Sequence, residues 1–397
     1  MLHDGQSGFR PAARIGGLEL SEIVQISERA AQLRASGRDI VALSTGEPDA
    51  PTPDFIVEAA YAAAQAGETR YTPTAGTVKL RAEIAAAHNA EPANVIVSTG
   101  AKQVIYDAMA ATLDPGDEVI IPAPYWTTYS DIVRMCGGVA VVTPCSMADG
   151  FKLSAAALKA AITPRTKWLM LNSPSNPSGA IYSVEELRAL AEVLARHPHV
   201  WVVSDEIYEH LSYVPFVPLS EAAPELRNRL LVVNGVSKAW SMTGWRVGWG
   251  VGPRALISAM VAVQGQITSG ASSVSQAAAL AALTGDKALL GERRKTMLAR
   301  RNKVVAALNA MPGLECPAPD GAFYVFPSCA ALLSEAGGPF ATEADFCGWL
   351  LDEAGVAIVP GRAFGLAGHV RLSFAYSDDE LSKGLSRMSE ALERIAR

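Results

Sequence analysis

Seven short apolar runs punctuate the middle of this sequence: NVIVSTG (94–100), EVIIP (118–122), VAVVTP (139–144), KWLMLN (167–172), HVWVVSDE (199–206), LLVVNG (230–235) and WRVGWGVG (245–252). They are rich in Val, Ile and Leu and lack the polar alternation of a half-solvated strand, as strands covered on both faces do. Segments of helical periodicity lie between several of them. Strand–helix alternation of this kind builds a largely parallel α/β sheet with helices on both faces. The helices have legible ends. Ser183 and Glu186 form a capping box before LRALAEVLARH. Thr52 with Pro53 opens a helix that Gly67 closes, and the stripe Ile23, Ile26, Ala30, Leu33 stops at Gly37.

From about residue 290 the texture changes. ERRKTMLARRNKVVAALNAM (292–311) reads as a long amphipathic helix whose basic face is solvated, followed by GAFYVFP, another helix, VAIVPG, HVRLSFA and a terminal helix. At 397 residues two domains are expected. We read a large domain over 46–289 and a smaller α+β domain from 1–45 together with 290–397. A net charge of −6 gives no reason to expect nucleic acid or an anionic membrane as a partner. The five cysteines form no CxxC pair and no metal-ligand spacing, which suits a reducing compartment. With no apolar leader and no membrane-length run, a cytoplasmic enzyme is expected.

In an open parallel sheet, ligands bind beyond the carboxyl ends of the strands. Four of the seven runs end there in polar groups. NVIVS leads to Thr99-Gly100-Ala101-Lys102 at a helix start, and KWLMLN to SPSNPSG with Asn176. HVWVVS delivers Asp205 and then Tyr208, and LLVVNG delivers Ser237 and Lys238. Each has a bland reading alone. The helix start could bind water, Asn176 could be a turn residue, and Asp205 could cap the segment after it. Tyr208 could be core with a satisfied hydroxyl, and Lys238 an exposed lysine. Convergence on one edge favours a single chemistry, condensation of a lysine amine with a carbonyl. The stretch VSKAWSMTGWRVGWG (236–250) holds two cations and no acid. Lys238 would carry an aldehyde cofactor there, and Arg246, Ser237 and the helix start at Gly100 its phosphate. Asp205 would keep a pyridine nitrogen protonated, Asn176 and Tyr208 would meet a phenolic oxygen, and Trp126 would lie on the ring face.

Those residues sit in motifs that resemble the class I, fold type I, pyridoxal-phosphate-dependent aminotransferases, most closely the bacterial aspartate aminotransferase-like branch. The motifs are LSTGEPDAPTP (43–53), RYTPTAGTVKLR (70–81), STGAKQ (98–103), DPGDEVIIPAPYW (114–126), NSPSNPSGA (172–180), SDEIYEHL (204–211), NGVSKAWSMTGWRVGW (234–249) and HVRLSF (369–374). The resemblance implies a seven-stranded, mostly parallel sheet and bound pyridoxal 5'-phosphate. It assigns Lys238 to covalent attachment and proton transfer, Asp205 to the ring nitrogen, and Asn176 and Tyr208 to the ring oxygen. Trp126 is assigned to the ring face, and Gly100, Ala101, Lys102, Ser237 and Arg246 to the phosphate. Tyr71 would reach the phosphate of a neighbouring subunit, implying a homodimer with shared sites. Arg371 would clamp the substrate carboxylate, beside Gly46, Asn176 and Trp126.

Three departures stand out. Gly235 occupies the position three before the lysine, where relatives often carry a phosphate-binding serine. The segment between LRAEIAAAHN and NVIVSTG is short. The stretch LSEIVQI keeps Ser21 but has Ile23 where a threonine helps to bind a distal carboxylate, although Lys102 is retained. The expected activity is transfer of an amino group from an L-amino acid (aspartate-like, aromatic or aliphatic) to a 2-oxo acid such as 2-oxoglutarate or pyruvate. A lyase or synthase of the same fold, such as a C–S lyase, is the alternative. A nucleotide-binding dehydrogenase fails because no GxGxxG follows a first strand, and there is no room for a DNA-binding module.

Overall fold

The computed structural model describes residues 11–16, 18 and 22–395. Its first strand, β1 (Val41–Ala42), lies apart from the main sheet. That sheet holds β2 (Val95–Ser98), β3 (Glu118–Ala123), β4 (Val139–Pro144), β5 (Thr166–Asn172), β6 (Trp201–Asp205), β7 (Leu230–Gly235) and β8 (Gly248–Val251). Their order is β2-β8-β7-β6-β5-β3-β4. All seven apolar runs are thus strands of one sheet. The pairs among β3 to β7 are parallel, and β8 is antiparallel to both its neighbours. No α-helix lies between β7 and β8, so the chain folds back instead of crossing over.

Residues alternate between two apolar faces along each strand. Val95, Val97, Leu169, Leu171, Val202 and Val232 join one buried cluster. Ile96, Trp168, Met170, Val203, Leu231 and Val233 join another on the opposite face. β4 departs from the expectation of double cover. It is one of the two edge strands, with three of its positions exposed and the other three half-buried, whereas β2 at the other edge is buried throughout. Edge position alone therefore does not set the exposure; what packs over each edge does, and the run VAVVTP does not carry that.

A further core gathers Met297, Val304, Leu308, Phe323, Phe346, Leu372 and Leu385. Beside it β1 pairs with β10 (Val356–Ala357), Val41 opposite Val356. An antiparallel trio, β11 (Val359–Pro360), β12 (Val370–Ser373) and β9 (Tyr324–Val325), carries Arg371. The helix Ala288–Asn309 spans both cores, with Leu289 and Leu290 against the sheet cluster and Met297 against the other. Its basic face is not simply solvated. Arg293 donates to the carbonyls of Ala239 and Pro51, Arg301 to that of Pro319, and Arg300 pairs with Asp49 and Asp378. Unpaired carbonyls and carboxylates along the helix's path give those guanidinium groups better partners than water.

The capping box at the helix Val184–Ala195 is present, with Glu186 N–H on Ser183 Oγ at 3.2 Å and Ser183 N–H on Glu186 Oε2 at 2.7 Å. At the helix Asp54–Gln65, Pro53 takes the cap position without a side-chain bond, and Gly67 follows the end at φ +79°. Thr52 does not cap. Its hydroxyl donates to Ser241 O at 2.7 Å and accepts from Trp245 Nε1, tying the chain to the segment after Lys238. The helix Glu22–Ala35 ends before Gly37, at φ +91°. No helix among the described residues is long and apolar enough to cross a membrane.

Candidate active site

The carboxyl ends of β3, β5, β6 and β7 and the start of the helix Ala101–Thr112 open onto a cavity of about 320 Å³. Of the residues singled out from sequence, Gly46, Ala101, Lys102, Trp126, Asn176, Asp205, Tyr208, Ser237, Lys238, Arg246 and Arg371 line it. Gly100 stands just behind, and Tyr71 lies outside it, 96% exposed on the surface.

Lys238 is half-buried, its Nζ donating to Gly46 O at 2.8 Å. Burial lowers its ammonium to about 8. The Arg371 and Arg246 charges add to the depression, and the Glu47 and Asp205 carboxylates oppose it. An amine so tuned is neutral, and nucleophilic, far more often near neutral pH than a surface lysine.

Asp205 ends β6, 3% exposed. Tyr129 donates its hydroxyl to Asp205 Oδ2 at 2.6 Å, and Ile207 N–H donates to Oδ1 at 3.2 Å. Burial lifts the carboxyl to about 6, while those hydrogen bonds and the Lys238 charge hold it down. Such a group gains from a cation set against it. Local capping is thus only part of what Asp205 does.

Asn176 is no self-bonded turn residue. Its N–H meets Asn172 Oδ1 at 2.8 Å, and its own Oδ1 accepts from Arg371 Nη1 at 3.0 Å. Arg371 is 2% exposed. Its Nη2 donates to Ser44 O, and its guanidinium carbon lies over two rings, Tyr324 at 4.6 Å and Phe364 at 4.8 Å. Nε has no partner, and no carboxylate pairs with Arg371 among the described residues. A buried guanidinium lacking a counter-ion is a site for an anion brought from outside.

The opposite corner is basic. Gly100 takes φ +86°, and a side chain there would collide with the Arg246 guanidinium. A Cβ at Gly248 would strike the backbone of Ala101, so β8 presses directly on the helix start. Arg246 is in the left-handed region (φ 57°) and donates Nη1 to Thr243 O at 2.8 Å. Lys102 Nζ stands 4.9 Å over the Trp126 ring. Helix dipole, guanidinium and the Ser237 hydroxyl together make an anion cradle.

At Gly235 a Cβ would lie 2.9 Å from Val247 O and 3.0 Å from Gly248 Cα, so a serine there would require β7 and β8 to move apart. Ile23 lines the cavity, whereas Ser21 lies outside the described residues. Sequence reasoning missed Tyr129, Asn172, Thr243 and Tyr324, all of which line the cavity. Tyr129 stands three positions after Trp126, past the end of the motif, and Tyr324 lies in GAFYVFP; neither place marks a functional side chain. The described residues hold no cluster of His, Cys, Asp or Glu able to bind a metal ion. An amine, a burial-raised carboxyl, a phenol, an anion cradle and a second anion site, all on one cavity, fit a phosphorylated pyridine aldehyde and an amino acid beside it.

Comparison with known proteins agrees. Residues 38–388 match the family described as aminotransferase class I and II. The aspartate aminotransferase of Rhizobium meliloti (strain 1021) is 49% identical over 402 residues, covering 98% of this chain and 98% of the relative. The aspartate/prephenate aminotransferase of Cereibacter sphaeroides is 46% identical, covering 93% and 95%. The crystal structure of the Rhizobium meliloti aspartate aminotransferase matches with a TM-score of 0.94 at 50% identity, over 98% of this chain and 100% of that one. That of Thermus thermophilus aspartate aminotransferase with maleate matches with 0.91 at 39% identity, over 97% and 100%.

Proposed function

This chain belongs to the class I and II aminotransferases and is a pyridoxal-phosphate-dependent transaminase; from that premise we propose that it takes the amino group of aspartate and delivers it to a 2-oxo acid in the cytoplasm. The observation that carries the reading is the meeting of Lys238, Asp205 and Arg371 on one cavity. Lys102, also on that cavity, suits a distal carboxylate, and relatives named for aspartate support the choice of donor. A panel of amino acids ranked by kcat/KM tests it, with aspartate expected first. An aromatic or aliphatic donor in first place would refute the choice. An aminotransferase is favoured over the lyase alternative by the names of the relatives.

Bound pyridoxal phosphate supplies an electron sink for the charge left when Cα loses its proton. Lys238 would hold it covalently, and its Nζ, once freed, would take the proton from Cα as general base and deliver it as general acid to the cofactor carbon that bore the aldehyde. Asp205 would pair with the ring nitrogen and keep it protonated. Tyr208 and Asn176 would face the ring oxygen, and Trp126 the ring face. Ser237, Arg246 and the N–H groups of Ala101 and Lys102 would hold the phosphate; Gly100, expected among these donors, spends its N–H on Ser98 O at 2.7 Å and gives the anion room instead. Arg371, with Gly46, Asn176 and Trp126 around it, would orient the substrate carboxylate.

Asp205→Asn separates these tasks. Because the folded carboxyl is raised above its unfolded value, ionisation costs stability, and the cost grows as pH rises from about 4 through about 6. The cofactor-free variant is therefore expected to melt higher than the parent at pH 8, with the difference fading towards pH 4. The same variant should hold the cofactor at least about tenfold more weakly. Melting scans and cofactor titrations check both. Tighter cofactor binding would contradict the pairing.

The catalytic unit is a homodimer in this reading, and Tyr71 of each copy completes the other's phosphate site. Its support is the position of Tyr71, 96% exposed and outside its own chain's cavity, where a second copy can reach it. Sedimentation should give twice the 41.8 kDa chain mass. Each chain would comprise a large domain over 46–289 and a small one from 1–45 and 290–397, so that Arg371 comes from the small domain and the cofactor contacts from the large.

A further inference from the structure

We propose that Tyr324 is a positioning residue with two separable tasks, its hydroxyl orienting the phenol of Tyr208 and its ring face holding the guanidinium of Arg371. The proposal rests on the reading of Tyr208 as a donor to the cofactor's ring oxygen.

Tyr324 sits on β9, 1% exposed, and its Oη is 3.0 Å from Tyr208 Oη. The two rings meet edge to face at 5.8 Å, with Phe323 packed against both. Either phenol can donate to the other. When Tyr208 gives its proton to an oxygen in the cavity, its lone pair is left to accept. Tyr324 then becomes the donor, and a two-step chain runs from Tyr324 through Tyr208 into the cavity. Such a chain strengthens its last bond, because each donor polarises the next. The charged and titratable groups facing Tyr208 are Tyr324, Arg371, Asp205 and Tyr129.

The opposite relation is with Arg371, whose guanidinium carbon lies 4.6 Å from the Tyr324 ring centre. Phe364 is the second ring within reach, at 4.8 Å, so a change at Tyr324 removes one of two aromatic contacts to the guanidinium. Gly46 shows how closely this hydroxyl is fitted. A Cβ at Gly46 would collide with Tyr324 Oη, so the chain that receives Lys238 Nζ on its carbonyl must pass without a side chain. One side chain thereby adjoins Tyr208, Arg371 and the Lys238 rest position. None of this is needed for folding alone, since a phenylalanine would fill the same volume.

The test uses the holoenzyme and two readouts other than turnover. One is the pH midpoint of the visible band of the Lys238-bound cofactor. The other is the dissociation constant of maleate, a dicarboxylate that cannot donate an amino group. Tyr324→Phe keeps the ring and removes the hydroxyl. The midpoint should rise by about half a unit, because the oxygen facing Tyr208 loses part of its stabilisation. Maleate binding should stay within about twofold. Tyr324→Leu removes both features, so the midpoint should move as far and maleate should bind about tenfold more weakly.

Tyr208→Phe closes the cycle. On that background Tyr324→Phe should add nothing to the midpoint shift, because the hydroxyl acts only through Tyr208. Fully additive shifts, or a silent Tyr324→Phe beside an active Tyr208→Phe, would overturn the proposal. If Tyr208→Phe itself left the midpoint in place, the reading of Tyr208 would fail first and the proposal with it. Melting temperatures of the isosteric Phe variants control for folding.

Discussion

Replacing Lys238 by alanine should abolish transamination, lowering the first half-reaction with aspartate by about 10⁴-fold or more. Proton transfer by a positioned side chain alone contributes about 10²- to 10⁴-fold, and the covalent hold on the cofactor is lost as well. The protein itself should survive the change. The one hydrogen bond shown for the amine is to Gly46 O, and its burial already disfavours the charged form, so a melting temperature close to the parent's is expected. Single-turnover kinetics would measure the loss. A small primary amine added to the variant should restore part of the rate, since it can carry the proton that Lys238 no longer does. Undiminished turnover in the alanine variant would show that another group moves the Cα proton.

Arg371→Lys should lower kcat/KM for aspartate by about 30- to 1000-fold while leaving the cofactor band in place. A lysine keeps the charge but loses the planar fork, and the difference between fork and point charge is worth about 2–4 kcal/mol at a desolvated carboxylate. Asn176 Oδ1 and Ser44 O, which now share the guanidinium, would compete for one ammonium. Most of the loss should appear in KM if the carboxylate is held equally in the ground and transition states. Steady-state kinetics with aspartate, and with an amine that lacks the α-carboxylate, check this. The arginine matters to the account only if the variant discriminates less between those two donors than the parent does.

Much of the fold was legible because sheet strands with little polar alternation write continuous apolar runs, and all seven runs became strands of one sheet, two of its six pairings antiparallel. The exposure of β4 was not, because VAVVTP is as apolar as the runs of the buried strands, the buried edge strand β2 among them. Thr52 had the composition of a cap, but a tertiary partner, Trp245, took its hydroxyl. The basic helix looked solvated because its carbonyl and carboxylate partners at Ala239, Pro51 and Asp49 lie in other segments.

Within the cavity, residues at strand ends could be named from sequence, since a parallel sheet sends them to one edge. Tyr129 and Tyr324 could not. Their hydrogen bonds to Asp205 and Tyr208 span 76 and 116 positions, and a tyrosine in an apolar stretch reads equally well as core. Gly235 shows the converse. The sequence suggested one phosphate-binding hydroxyl fewer; the structure adds that a side chain there would push β7 and β8 apart.

The visible spectrum of the purified protein, recorded while aspartate is titrated in, tests the central claim most directly. The account predicts a cofactor band whose pH midpoint is absent from Lys238→Ala, and which aspartate bleaches with release of the matching 2-oxo acid and no free ammonia. A band that aspartate leaves untouched, or one that decays with ammonia as the product, would contradict it.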